Sequence, residues 1–301
     1  MKKIVLTGAT GFIGKKIAIK LIECGCELTI FTRSVKKAKQ FIPNASEYVE
    51  WNSNFIDWKT YLEGKDAVIH LAGENVMAKR WSEEQKKKIR SSRVDSTRAL
   101  VNTIGTLNNK PKVFVCASAI GYYGNSEHPE REDSNAGNDF LAGVVKAWED
   151  EAGKVEQFGV RRISMRIGIV LDKNGGALAR MIIPFKFFIG GAVGSGKQWV
   201  SWIHIEDLIN IFLFALENEN LEGAVNCVSP NPVTMNQFAK TIGKILKRPS
   251  FLRIPEFLLR LILGEASSVV TGGSKVSSSK IISCGFKFKY NYIEEALRNL
   301  L

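Results

Sequence analysis

The chain has 301 residues, enough to bury a full-sized core as one large domain or two modest ones. Its 45% apolar and 24% charged residues match an ordinary globular protein and exclude extensive disorder, while the lack of any repeat at about 20 to 50 residues excludes a solenoid or propeller. The formal charge of +12 admits polyanions in general, yet the excess gathers at Lys36, Lys37 and Lys39 and at Lys86, Lys87, Lys88, Arg90 and Arg93. Such runs without interleaved aromatics are solvated helix faces, so neither nucleic acid nor a membrane is an expected partner.

Residues 3–7, Lys-Ile-Val-Leu-Thr, form a short apolar run, followed by glycines and then by Ile13, Ile17, Leu21 and Ile22 at helical spacing. That order predicts strand, turn and helix. A second strand is expected over residues 27–32 after the turn at Gly25, and a third over 66–71, ending in Ala72-Gly73. Residues 82–104 read as one long helix, with Ser82 as its N-cap and apolar positions at Ile89, Val94, Leu100, Val101 and Ile104. A strand over 112–116, a helix over 140–157 and a strand over 162–171 come next. Strands alternating with helices in this way predict an α/β fold, a Rossmann-type doubly wound parallel sheet with right-handed crossovers.

Beyond residue 171 the rhythm loosens into Gly175-Gly176, Gly190-Gly191 and Gly194-Ser195-Gly196, the composition of loops that shape a cleft. Helices over 205–217 and 234–246 flank a strand over 224–228. The expected division is a dinucleotide-binding domain with cleft-forming loops over 1–228 and a smaller C-terminal, substrate-side domain over 229–301. The apolar segments at 205–216 and 257–263 are too short or too charged to span a membrane. The opening Met-Lys-Lys is not followed by a signal-peptide core, so the expected location is cytoplasmic. Five cysteines without a paired spacing and only three histidines suit reduced thiols and give no reason to expect a metal.

Thr7-Gly8-Ala9-Thr10-Gly11-Phe12-Ile13-Gly14 sets three glycines three apart, between the first strand and the first helix. Gly8 would permit the tight turn, Gly11 would let backbone approach a pyrophosphate, and Gly14 would let the helix pack closely on the sheet. The phosphates then meet free N–H groups and the positive end of the helix dipole. At the end of the second strand a carboxylate would accept from a free ribose 2′-hydroxyl, but the residues are Thr32-Arg33-Ser34. A guanidinium fork there suits a 2′-phosphate, so NADP is expected over NAD.

The glycine loop, together with residues 66–73 (DAVIHLAG), 165–171 (MRIGIVL) and 202–208 (WIHIEDL), resembles the extended short-chain dehydrogenase/reductase superfamily of the NAD-dependent epimerase/dehydratase type, over nearly the whole chain. Gly73-Glu74-Asn75, Ser92-Arg93-Val94, Gly121-Tyr122-Tyr123-Gly124 and Leu263-Gly264-Glu265 are similar to its epimerase family protein branch, sometimes labelled cell-division-inhibitor-like. The resemblance implies that Leu71 and Ala72 lie against the cofactor ribose, with Gly73 beside them. It also implies that Arg93 can reach the cofactor and that Val170 borders the nicotinamide.

The superfamily's catalytic Tyr-x-x-x-Lys pair is missing. With Glu149 aligned to the usual glutamate, Leu141 takes the tyrosine place and Val145 the lysine place, and Lys146 falls about 100° around the helix. Ser118 and Tyr123 are the candidate catalytic hydroxyls, with Tyr122, His204 and Glu206 as further candidates. Gln198, Ser201 and Trp202 suggest a retained pocket. Two functions follow as expectations. One is an NADP-dependent oxidoreductase or epimerase acting on a small hydroxyl or carbonyl compound in a cleft beside the nicotinamide. The other is a non-catalytic dinucleotide-binding regulator.

Overall fold

A computed structural model describes residues 1–51 and 57–301. The first half runs β1 (Lys3–Thr7), α1 (Phe12–Glu23), β2 (Glu27–Thr32), α2 (Val35–Phe41), β3 (Glu47–Glu50), β4 (Ala67–His70), α3 (Glu83–Gly105), β5 (Val113–Ala119). It continues through β6 (Ser126–Glu130), α4 (Phe140–Gly153), β7 (Arg161–Ile167), β8 (Ile169–Asp172), α5 (Gly176–Lys186), β9 (Gly191–Val193) and β10 (Trp199–Val200). The remainder comprises β11 (Trp202–His204), α6 (Ile205–Glu217), β12 (Gly223–Cys227), β13 (Val233–Thr234), α7 (Met235–Leu246), β14 (Leu252–Ile254), α8 (Glu256–Leu263), α9 (Ser268–Thr271), β15 (Ser274–Val276), α10 (Ser279–Ser283) and α11 (Ile293–Leu300).

Seven strands form one sheet in the order β12-β7-β5-β4-β1-β2-β3, every neighbouring pair parallel. The order reverses between β1 and β4, which is where ligands sit in doubly wound sheets. Alternation along β1 sends Ile4 and Leu6 to one face and Val5 to the other, as a period of two requires. The first face packs on α1 and α6 through Ile17, Leu21, Leu208 and Phe212. The second packs on α3 and α4 through Leu100, Ile104, Trp148 and Ala152. A separate cluster joins α5, α7 and α11 through Leu178, Phe238 and Leu297.

The expected N-cap of the long helix is in place, Ser82 accepting from the Gln85 N–H. Among the elements that differ from the sequence reading are helix α5, where loops were expected, the end of α4 at Gly153 and not at 157, a strand break and an edge strand. The single strand expected over 162–171 is two, because at Gly168 the chain turns out of the sheet. A Cβ there would come within 2.5 Å of the Ser201 carbonyl oxygen, and β8 pairs with β11 instead. The edge strand β3 was not expected at all: Glu47 and Glu50 bracket a single buried Val49, charges that protect an edge and also hide its period.

Candidate functional site

The turn between β1 and α1 lies at the order reversal. Gly8 has φ +70° and a Cβ on it would sit 2.6 Å from the Leu71 carbonyl carbon, so β4 leaves the sheet pressed against the loop. The Gly11 N–H donates to the Gly8 carbonyl at 3.0 Å, and a Cβ on Gly14 would overlap that same oxygen. Gly11 caps α1 without any side-chain bond to the first-turn amides, and that turn holds no acidic residue. Unfilled donors at the positive end of a helix suit an anion. Thr10 and Gly11 are exposed, Ile13 is half-buried, and Phe12 is half-buried beneath Gly175. Lys16 ties the same loop down through Asp172 at 2.8 Å.

The floor of the turn is fixed by a buried histidine that the sequence did not single out. His70 Nδ1 lies 2.7 Å from Thr7 Oγ1 and its Nε2 lies 3.1 Å from Ser96 Oγ. The Ser96 hydroxyl already donates to the Ser92 carbonyl, so Nε2–H donates to Ser96 while Nδ1 accepts from Thr7. The Thr7 oxygen then accepts the N–H groups of Leu71 and Ala72, both at 3.2 Å. That chain sets the course of residues 71–73 opposite the glycines.

Burial, with help from the Arg93 charge, holds the His70 imidazole down to about 3. The unfolded chain therefore takes up a proton that the folded one refuses. His70 contributes stability that is full above about pH 6.5 and drains away toward pH 3, at about 1.4 kcal/mol per pH unit. Urea unfolding between about pH 7 and 5 is expected to show wild type losing stability faster than His70→Asn. Parallel pH dependences would contradict the assignment.

At the end of β2, Thr32 Oγ1 accepts from the Ser34 N–H at 3.2 Å, and Ser34 caps α2 by accepting from Lys37. Arg33 stands between them, exposed and with no partner among the described residues. Arg93 is half-buried, its Cζ 3.2 Å from where a Gly73 Cβ would be and 5.2 Å from the Trp148 ring. It donates to the Ile89 carbonyl at 3.0 Å, and burial lowers its pKa to about 10 against the opposing pull of Glu74. Val170 is buried in β8, in register with Ile203.

The two nominated hydroxyls converge on a buried ion pair. Arg166 grips Glu149 with Nε and Nη2, at 2.9 and 2.8 Å, and stacks on Tyr122 at 3.6 Å. Ser118 donates to the same carboxylate. The Tyr123 hydroxyl accepts from Arg166 at 2.8 Å and donates to Asn226 Oδ1 at 2.6 Å. Burial pushes the Tyr123 phenol up to about 12, although Arg166 pulls the other way. Both hydroxyl protons therefore already have acceptors. The sequence carried a signal for this pair, since an arginine inside a buried strand requires a buried partner.

Leu141 lines a cavity of about 290 Å³ together with Trp81, Phe140, Glu256 and Arg260, and Val145 is buried. Lys146 turns outward to Asp150 at 2.7 Å, as its place on the helix implied. His204 and Glu206 belong elsewhere: His204 stacks on Tyr290 at 3.8 Å and accepts from the Glu206 N–H, and Glu206 pairs with Lys289 at 2.8 Å. The polar groups of Gln198, Ser201 and Trp202 meet backbone carbonyls of Val193, Ser274 and Asn231, so they brace the fold instead of lining a pocket. A larger hollow of about 590 Å³ adjoins Ala224 and Lys280, at the β12 edge of the sheet and not at the glycine loop. Among the described residues no three His, Cys, Asp or Glu side chains gather as for a metal.

The sheet order and the glycine turn at its reversal define a Rossmann-type protein of the extended short-chain dehydrogenase/reductase class. A family model described as the NAD dependent epimerase/dehydratase family matches residues 4–145, and one described as a domain of unknown function, DUF1731, matches residues 254–300. The chain belongs to the epimerase family proteins. It is 42% identical over 299 residues to the chloroplastic epimerase family protein SDR39U1 homolog of Arabidopsis thaliana, covering 98% of this chain and 86% of that one. It is 39% identical to epimerase family protein YfhF of Bacillus subtilis, covering 99% and 97%. The crystal structure of human epimerase family protein SDR39U1 (isoform 2) with NADPH superposes with a TM-score of 0.86 at 29% identity, over 99% of this chain and 98% of that one.

Proposed function

We propose that this chain binds NADPH and that the nucleotide pocket, not an acid–base pair, is its functional centre. The observation that carries the reading is the uncapped start of α1 under three glycines, with the exposed guanidinium of Arg33 just past the end of β2, the strand paired with β1. The human relative solved with NADPH supports it. Gly8, Thr10, Gly11, Phe12, Ile13 and Gly14 would hold the pyrophosphate, and Thr32, Arg33 and Ser34 the 2′-phosphate. Leu71, Ala72, Gly73 and Arg93 would line the ribose side, with Val170 by the nicotinamide. When bound, NADPH would supply a hydride, and the residues just named would bind and orient it.

The chemistry beyond binding divides on one observation. With Leu141 and Val145 in place of proton carriers, and with the Ser118 and Tyr123 protons already accepted by Glu149 and Asn226, the site lacks a free acid at its usual position. That favours a protein that responds to its bound dinucleotide. The second reading is hydride exchange with a small hydroxyl or carbonyl compound, its oxygen oriented by Ser118 or Tyr123; the cavity beside Leu141 supports it. Monitoring NADPH absorbance against a set of carbonyl compounds separates the two, and steady turnover that Tyr123→Phe abolishes would establish the second.

Arg33→Ala tests the cofactor preference. A charge-assisted fork is worth about 1.5–3 kcal/mol, so NADPH affinity is expected to fall roughly ten- to hundredfold with NADH affinity unchanged. Fluorescence titration reads both, and an equal loss for the two would remove the argument.

A further inference from the structure

Helix α8 leaves most of its apolar residues uncovered. Glu256 and Arg260, one turn apart, line the 290 Å³ cavity, while Phe257, Leu261 and Ile262 are 68%, 71% and 66% exposed. No residue of the helix is buried. A surface helix ordinarily turns its apolar stripe to the core; here Leu259 and Leu263 are half-buried, and the further apolar residues Phe257, Leu258, Leu261 and Ile262 are left in solvent. A second apolar group lies at the other end of β14. Phe187, at the end of α5, and Phe251, just before β14, are 70% and 79% exposed. They are brought together because β14 pairs with β9 with Leu252 opposite Gly191, and the three residues of β14, about 10 Å long, lead from Phe251 to α8.

Cations outnumber carboxylates around this face, where Glu256 is the one acidic residue of α8. Lys186, Arg248, Arg253 and Arg260 border the apolar residues, and Arg248 stacks on Phe188 at 4.3 Å. A second copy of the chain would set these cations against their own equivalents across a two-fold axis, in a protein already at +12. Phenylalanine and leucine ringed by lysine and arginine are the composition of a surface that sinks into the boundary between lipid headgroups and acyl chains. No helix among the described residues is long and apolar enough to cross a membrane, so the contact is peripheral. We propose that the face made by α8, Phe187–Ile189 and Phe251 docks this protein on an anionic lipid bilayer.

Co-sedimentation of the full chain with vesicles tests this. Binding is expected with vesicles of phosphatidylglycerol in phosphatidylcholine, with a loss of about tenfold or more on pure phosphatidylcholine or in about 0.5 M salt, where charges are screened beyond about 4 Å. The double variant Phe257→Ser/Leu261→Ser removes two large apolar side chains, each worth about tenfold or more when buried, and is expected to lose binding to the anionic vesicles at least tenfold. Because both side chains face solvent, NADPH affinity and the thermal midpoint should match wild type, which separates loss of docking from loss of fold. No binding to the anionic vesicles, or equal binding by wild type and variant, overturns the proposal. So does a dimer that the double substitution dissolves in protein that ignores vesicles, since a second copy would then cover the face.

Discussion

Arg166→Met is expected to lower the unfolding free energy by about 3–5 kcal/mol, because it strands the Glu149 carboxylate among buried groups. The guanidinium supplies two bonds to Glu149 and one to Tyr123, and its side chain is almost fully enclosed. Adding Glu149→Gln to the same chain is expected to restore part of the loss, since the amide does not carry a charge that needs neutralising. Urea unfolding of the two single variants and the double variant reads the coupling directly. A loss under about 1 kcal/mol for Arg166→Met, or strictly additive effects, would contradict the buried pair. The arrangement also explains why Ser118 and Tyr123 are held so firmly: each is a ligand of the pair, one to its anion and one to its cation.

Two glycines of the loop are expected to behave differently when a single methyl group is added. At Gly14 the methyl meets the Gly8 carbonyl oxygen, so α1 must move away from the turn; overpacking of this kind costs about 1–3 kcal/mol. Its start then no longer faces the phosphates, and NADPH binding is expected to fall by about a hundredfold or more, the loss of two charge-assisted bonds at about 1.5 kcal/mol each. At Gly11 the nearest obstacle to a methyl is the Gly8 oxygen at 3.2 Å and the position is exposed. Gly11→Ala should therefore cost about 1 kcal/mol or less, the cost of alanine at a helix N-cap, while still weakening NADPH, because the added group stands where the ligand must approach. Thermal unfolding and nucleotide titration of the two variants separate the effects. Equal NADPH affinity in Gly11→Ala and wild type would place the ligand elsewhere.

Much of the sheet was legible because its strands are buried on both faces and so read as continuous apolar runs, as residues 3–7 and 27–32 do. The long helix could be bounded at its start because Ser82 is a capping residue placed just before the periodic pattern. Elements held by contacts far away in sequence were not legible. The break at Gly168 exists because Ser201 lies beside it, and the cavity beside Leu141 is closed in part by Glu256 and Arg260 of α8, more than a hundred residues downstream.

The site divides in the same way. The glycine spacing is a local device, so its geometry could be stated from seven consecutive positions. The fates of Ser118, Tyr123, His204 and Gln198 depended on partners such as Glu149, Asn226, Tyr290 and Val270, and no spacing rule names those partners. The Thr7–His70–Ser96 chain shows the same limit. Each residue looks unremarkable in its own strand or helix, and only the parallel register of β1 with β4 brings Thr7 opposite His70.

Isothermal calorimetry of the wild-type chain with NADPH and with NADH bears most directly on the whole reading. Saturable heat with NADPH, at an affinity at least about tenfold above that for NADH, is the predicted result. Absence of heat with both, or indistinguishable affinities, would mean that the turn at the start of α1 and the guanidinium of Arg33 do not serve a phosphorylated dinucleotide.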